Sequence, residues 1–324
     1  MAILRVSELY EKLRPDLRNL ERERKRVALL LRMNMFVVVA LAIPIAWYII
    51  RSIEEPNEIN QILSFTFAII AMIGILAGET FKYNLTKQFG TRFKRLVIRR
   101  IISYMDADLH YAMHNCIPAE VFQQSGLFET PPDRFNGDDL VTGTILGTKI
   151  RFSELHTKIN LGSATNKRYV TQFKGLFFEL AFNKRSNGSL IILPDAVETA
   201  VGKVAGQWLQ SLGTTQGKLI KLEDPEFERL FVVYGTDQIE ARYLLSPSLM
   251  RRIIKFRHKA GREVRLSFVD GHVYLAVSYA RDLFEPTLFT PLENKAQIKQ
   301  YLDDLRFALG VVKDLNLNLK LWSH

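Results

Sequence analysis

Two long runs without a charged residue dominate the first quarter of the chain. The first, Met33–Ile50 (MNMFVVVALAIPIAWYII), is 18 residues bounded by Arg32 and Arg51. At about 1.5 Å per residue it reaches roughly 27 Å, just short of a ~30 Å hydrocarbon core, and Trp47 and Tyr48 fall where interfacial aromatics belong. Pro44 predicts a kink. The second run, Ile59–Gly78, is 20 residues bounded by Glu58 and Glu79 and reads as the returning span. A secretory signal is a poor fit, because the basic stretch ahead of the first run is 32 residues long and a second span follows eight residues later. The competing reading is a helical hairpin buried in a soluble core.

Beyond Gly78 the texture becomes basic and amphipathic. Phe81, Phe89, Phe93, Leu96, Val97 and Ile101 alternate with Lys82, Lys87, Arg92, Lys94, Arg95, Arg99 and Arg100. Two readings satisfy this period: a helix lying on the inner leaflet whose seven cations bind anionic headgroups, or a helix continuing from the span whose apolar face packs inward. From residue 119 the pattern breaks into short alternating runs. Val141–Leu146, Lys149–Leu161, Tyr169–Phe182 and Leu190–Leu193 predict strands, and PPDRFNGDD between them reads as a turn. Asp195 with Glu198 opens a helix that Gly213 stops. Ser246-Pro247 opens another that ends at Gly261, with Leu249, Met250, Ile253, Ile254 and Phe256 inward. Glu263–Val269 and His272–Tyr279, joined by Asp270-Gly271, predict a hairpin with a type I′ turn. A third helix is expected from Thr290 and Glu293 as a capping box, and LNLNLKLW closes the chain as a strand. Strands in runs with helices late favour an α+β fold, a mostly antiparallel sheet with helices on one face.

Charge orients this plan. Residues 1–32 carry 9 Lys and Arg against 5 Asp and Glu, the loop 51–58 carries 1 against 3, and residues 79–100 carry 7 against 1. Basic flanks and an acidic loop place both termini in the cytoplasm by the positive-inside rule. Most of the net +10 of this 324-residue chain therefore sits beside the apolar runs, and 101–324 is nearly balanced. Nucleic acid is accordingly not an expected partner. The single Cys116 falls on the reducing side, so no disulfide framework is expected.

The chain has no Walker A loop, dinucleotide glycine fingerprint, Gly-x-Ser-x-Gly elbow or zinc-type Cys pair. His110 and His114, four apart and preceded by Asp106, would share a helical face and offer three metal ligands; a pair of solvated histidines is the plainer reading. The acidic run Glu223–Glu228 could divide acid and base roles, but Asp224-Pro225 also fits an ordinary helix start. Asp237, Glu240 and Arg242 read as a structural ion pair. Ala71, Gly74 and Gly78 place small residues on one face of the second span, suited to packing on the first span or to homo-oligomers. No cofactor is expected.

Phe135–Leu155 (FNGDDLVTGTILGTKIRFSEL), Phe173–Lys184 (FKGLFFELAFNK), Lys221–Met250 and the LNLNLKLW tail resemble a bacterial membrane-protein family catalogued as a domain of unknown function (number 3137). The resemblance implies two spans in the bacterial cytoplasmic (inner) membrane followed by a cytosolic α+β domain, and brings no activity or site residue. The expected division is a basic cytoplasmic segment 1–32, a hairpin 33–78 with spans 33–50 and 59–78, a juxtamembrane helix 79–118 and an α+β domain 119–324. The expected role is a membrane-anchored interaction or regulatory module that binds a protein partner or inner-leaflet lipid without catalysis. The alternative is an anchored enzyme, a hydrolase using acidic residues or the His pair.

Overall fold

A computed structural model describes residues 6–54, 58–163, 165–182, 188–195 and 218–315. The helix expected after Asp195 and the strand expected at the tail fall largely outside these residues. Two compact units emerge, a helical one of 4–101 with 285–299 and a sheet unit of 102–284 with the chain from Gln300 onward.

In the helical unit, α1 (Val6–Glu54) and α2 (Glu58–Phe93) are antiparallel, and α2 continues through a π-helical turn at Lys94–Ile98 into α3 (Arg99–Met105). The pairing is read from partners that climb one helix as they descend the other: Ser52 with Ser64, Asn34 with the Gly78 carbonyl, Glu23 with Arg92, Asp16 with Arg100. At about 1.5 Å per residue α1 is roughly 74 Å long, far more than a bilayer needs. It stays helical through Pro15 and Pro44.

The two ends of these helices differ in exposure. Leu9, Leu13, Leu17, Leu20 and Val27 recur at spacings of three, four and seven and are buried, as are Phe89, Phe93, Val97 and Ile98 on the partner. Within the charge-free runs, Phe36, Leu41, Ile43, Ile62, Phe65 and Ile73 are exposed, and only 6% of each most apolar window is buried. A soluble-core hairpin would bury that surface. Both helices are thus long and apolar enough to cross a membrane.

The sheet unit is α+β. Nine described strands form one antiparallel sheet in the order β1-β2-β3-β4-β9-β8-β5-β7-β6. They are β1 (His110–Ala112), β2 (Arg134–Ile145), β3 (Thr148–Asn160), β4 (Tyr169–Ala181), β5 (Leu190–Pro194), β6 (Lys218–Leu219), β7 (Phe231–Gly235), β8 (Val264–Val269) and β9 (His272–Ser278). Helices α4 (Ala119–Gln124), α5 (Pro225–Leu230), α6 (Gln238–Leu244), α7 (Pro247–Ala260) and, from Gln300, α8 (Lys295–Leu315) complete it. Successive side chains on a strand point to opposite faces, and both faces of the central strands are buried. Phe173, Phe177, Tyr274 and Ile191 join Phe122 of α4 in one core, while Phe152, Phe178, Leu275 and Leu266 are buried on the other face.

The predicted hairpin forms as β8–β9, with Asp270 and Gly271 at φ 48° and 71°, the two positive values a type I′ turn requires. Helix α7 also follows its signals: Ser246 caps the Leu249 N–H, Pro247 opens the helix, and Gly261 at φ 60° accepts the left-handed closure. Replacing Gly261 with alanine is expected to cost about 1 kcal/mol, because a Cβ penalises that conformation. Thermal unfolding should fall by about 2–4 °C; an unchanged melting point would show that the cap does not hold the helix end.

Three expectations are corrected. The Asn-Gly-Asp-Asp turn is instead part of β2, absorbed by a bulge between Asp138 and Val141 with Asp139 at φ 58°. The last helix starts at Lys295, so Thr290 and Glu293 do not form its capping box. Asp237 caps the short helix α6 through the Ile239 and Glu240 N–H groups, rather than forming a structural ion pair with Arg242.

Candidate functional site

Beyond the charge-free runs, the helical unit is held by a clamp. The segment 285–299, more than 190 residues downstream of α2, packs on α1 through polar contacts centred on Glu21 and Arg24. Arg24 donates to both Glu21 carboxylate oxygens (2.8 and 2.7 Å) and to the Leu288 carbonyl (2.6 Å), and Glu21 accepts from the Leu292 N–H at 3.0 Å. Tyr10 donates to the Glu293 carbonyl at 3.0 Å, and Lys94 pairs with Glu285 at 2.6 Å. The Arg24 hydrogen bond holds the Glu21 carboxyl below its ordinary pKa, against burial.

The seven cations expected at a membrane surface have different surroundings in this unit. Helix α2 runs unbroken past Gly78 to Phe93, the course expected of a helix that continues from the apolar run. Measured along the helix, Lys82 lies about 6 Å and Lys87 about 14 Å beyond Gly78, whereas Arg95, Arg99 and Arg100 lie about 25–33 Å away. Lys94 is buried, and Arg92 and Arg100 are paired with Glu23 and Asp16 of α1. Lys82, paired with Glu79 at 3.3 Å, and Lys87 lie nearest the apolar run, and both are exposed. The expected juxtamembrane helix is also shorter, ending at Met105 rather than 118.

The small-residue face divides. A Cβ on Gly78 would lie 3.2 Å from Asn34 Oδ1 and 3.3 Å from Val38, so this glycine is where α1 approaches; Gly74 has no such neighbour within 4 Å, and Ala71 is half-buried.

Asp106, His110 and His114 do not share a helical face. The helix stops at Met105, Asp106 accepts the Asp108 N–H in a tight turn, His110 opens β1 opposite Thr142, and His114 lies in the turn beyond it. Pairing with β2 overrides the i, i+4 spacing.

The carboxylates that do converge are Asp138 and Asp139 at the β2 bulge and Glu154 on β3, with oxygens within 4.8 Å of one another. Asp139 and Glu154 are buried. The Tyr111 hydroxyl donates to Asp139, and both Glu154 oxygens face the Leu283 N–H at 3.0 and 3.3 Å. Burial, reinforced by Asp139, Asp138 and Asp282, pushes the Glu154 carboxyl up to about 8, so it carries its proton at neutral pH. Oxygen-only sets of this kind suit hard cations, but occupation by one would require Glu154 to lose that proton. The sequence hinted at this group only through Asn-Gly-Asp-Asp inside a strand pattern, a bulge signal; nothing local tied it to Glu154.

Two other polar groups are structural. Glu179, buried across three strands, pairs with Arg151 and lies 3.8 Å from His272. In the acidic run Asp224 caps α5 through the Glu226 and Phe227 N–H groups, and Glu228 accepts the Leu222 N–H at 2.8 Å.

Residues 171–317 match the model of the family described as "Protein of unknown function (DUF3137)", the family the sequence blocks resemble, and the match begins well after both apolar runs. No curated protein matches the chain. A solved structure that matches is titled "crystal structure of the mycobacterial trehalose monomycolate transport factor A, TtfA", at 14% identity and a TM-score of 0.32, covering 67% of this chain and 94% of that one.

Proposed function

We propose that the protein is a membrane-anchored, non-catalytic interaction or regulatory module of the bacterial cytoplasmic membrane. Its helical hairpin spans the bilayer with both termini cytoplasmic, and its α+β unit engages a protein partner or inner-leaflet lipid. One observation carries this reading: the same two helices are exposed and apolar through their charge-free runs and buried on one stripe beyond them. Water does not tolerate the first surface, and a bilayer does. The basic flanks and acidic loop support the orientation. The enzyme alternative loses its residues, since the acidic run is engaged at α5 and the two histidines lie on a strand and a turn.

Cysteine labelling tests the topology. In a Cys116→Ser background, Glu54→Cys is expected to react with a membrane-impermeant maleimide only in right-side-out vesicles, and Lys87→Cys only in inverted ones. The reverse pattern would overturn the orientation, and reaction of both in both preparations would overturn the spans. Crosslinking in native membranes then tests the module: a stoichiometric partner crosslinked to 102–284 supports it, and failure of both pull-down and liposome binding removes it.

A further inference from the structure

Between Ser246 and Gly261 the chain reads SPSLMRRIIKFRHKAG, with five Lys or Arg residues, one histidine and no carboxylate. Folded as α7, it turns Leu249, Met250, Ile253, Ile254, Phe256 and Ala260 inward and leaves Ser248, Arg251, Arg252, Lys255 and Lys259 on one edge, three, four and seven residues apart. Helix α8 supplies the other edge. Phe256 stacks on Phe307 of α8 at 5.1 Å, joining the helices, and Lys259 pairs with Asp314. The groove between these edges has a volume of about 570 Å³, and Lys313 faces it from α8.

Its electrostatics are one-sided. Five cations line it against one carboxylate, and Asp314 is engaged by Lys259. Among the described residues, Arg252, Lys255 and Lys313 have no carboxylate partner. Arg251 and Lys255 are four residues apart, as are Lys255 and Lys259, a like-charge arrangement that destabilises an isolated helix. The helix dipole does not account for it, because Arg251 and Arg252 lie in the half of α7 nearer its N-terminus, where cations gain nothing.

We propose that the α7–α8 groove binds a phosphate-bearing ligand. Guanidinium forks from Arg251 and Arg252, ammonium groups from Lys255 and Lys313 and the Ser248 hydroxyl are the donor types that recognise phosphate oxygens. The volume suits a headgroup or a small phosphorylated molecule. An acidic protein segment would need about 800 Å² of complementary surface on each side, more than such a groove offers. This inference deepens the interaction reading by naming its ligand chemistry, and rests on that reading only where the phosphate belongs to a lipid.

The test uses the full-length chain in phosphatidylcholine nanodiscs. Inorganic pyrophosphate is titrated by calorimetry, and phosphatidylglycerol retained from doped discs is counted by native mass spectrometry. Pyrophosphate binding identifies a soluble source and phosphatidylglycerol retention a lipid source. In either arm, Arg252→Gln with Lys255→Gln is expected to weaken binding at least tenfold. Lys313→Gln, from the opposite edge, should repeat the direction, while Arg257→Gln, outside the groove, should change affinity less than twofold. Silence in both arms, or an equal loss with Arg257→Gln, overturns the proposal. The pyrophosphate arm stands even if the topology labelling fails.

Discussion

Replacing Arg24 with methionine is expected to destabilise the clamp of 285–299 on α1 by about 3–5 kcal/mol, the usual cost of stranding one member of a buried ion pair. Both side chains are only 9% exposed. The substitution removes the two hydrogen bonds to Glu21 and the one to the Leu288 carbonyl, while Lys25, 4.0 Å from Glu21 and 70% exposed, is a poor substitute. Glu21 would be left charged and buried. The double variant Glu21→Leu with Arg24→Leu should recover most of the loss, because it removes both desolvation penalties together. Hydrogen exchange at the Leu292 N–H, bonded to Glu21 in the native state, reads the clamp directly. A coupling energy below about 1 kcal/mol in the double-mutant cycle would show that the pair is not what holds this segment. Acid should act in the same direction: a carboxyl with a lowered native pKa contributes stability above its unfolded value of 4.5, and that contribution disappears as pH falls through the native value.

Glu154 should behave in the opposite way. Its native pKa of about 8 lies above the unfolded value of 4.5, so between those values the folded chain holds more protons than the unfolded one, and stability falls as pH rises. Below 4.5 both states are protonated and nothing is lost; above 8 the full penalty applies. At about 1.4 kcal/mol per pH unit, the loss attributable to this group is on the order of 5 kcal/mol. Glu154→Gln keeps an oxygen to accept the Leu283 N–H and cannot ionise beside Asp139, so it should unfold later than the parent at pH 9 and nearly with it at pH 5. Denaturant unfolding across that range checks this. Parallel pH profiles for the two proteins would mean that Glu154 is not the group that titrates.

These two residues show where reading the chain runs out. The type I′ turn at Asp270-Gly271 and the start and stop of α7 are written in backbone preference and capping chemistry over a few residues, and they formed as expected. Long alternating runs such as Lys149–Leu161 and Tyr169–Phe182 became β3 and β4 to within a residue. By contrast β1 is three residues long, too short for any pattern, and its pairing with β2 displaced the helix that His110 and His114 would have needed. The convergence of Asp138, Asp139 and Glu154 depends on strand register, which places Asp138 opposite Glu154 across 16 residues of sequence.

By itself, then, the sequence determined two charge-free runs of membrane-spanning length, the charge asymmetry around them, and the strands and turns with strong local chemistry. Those properties follow from transfer energies and dihedral preferences that act on each segment separately. The tertiary structure alone decided that Lys94 is buried against Glu285 and that Glu21 and Arg24 receive a segment some 270 residues away. Which polar groups are desolvated, and beside which partners, depends on contacts that no local window contains; desolvation and pairing therefore set the pKa of Glu154 and the stability of the clamp only once the chain has folded.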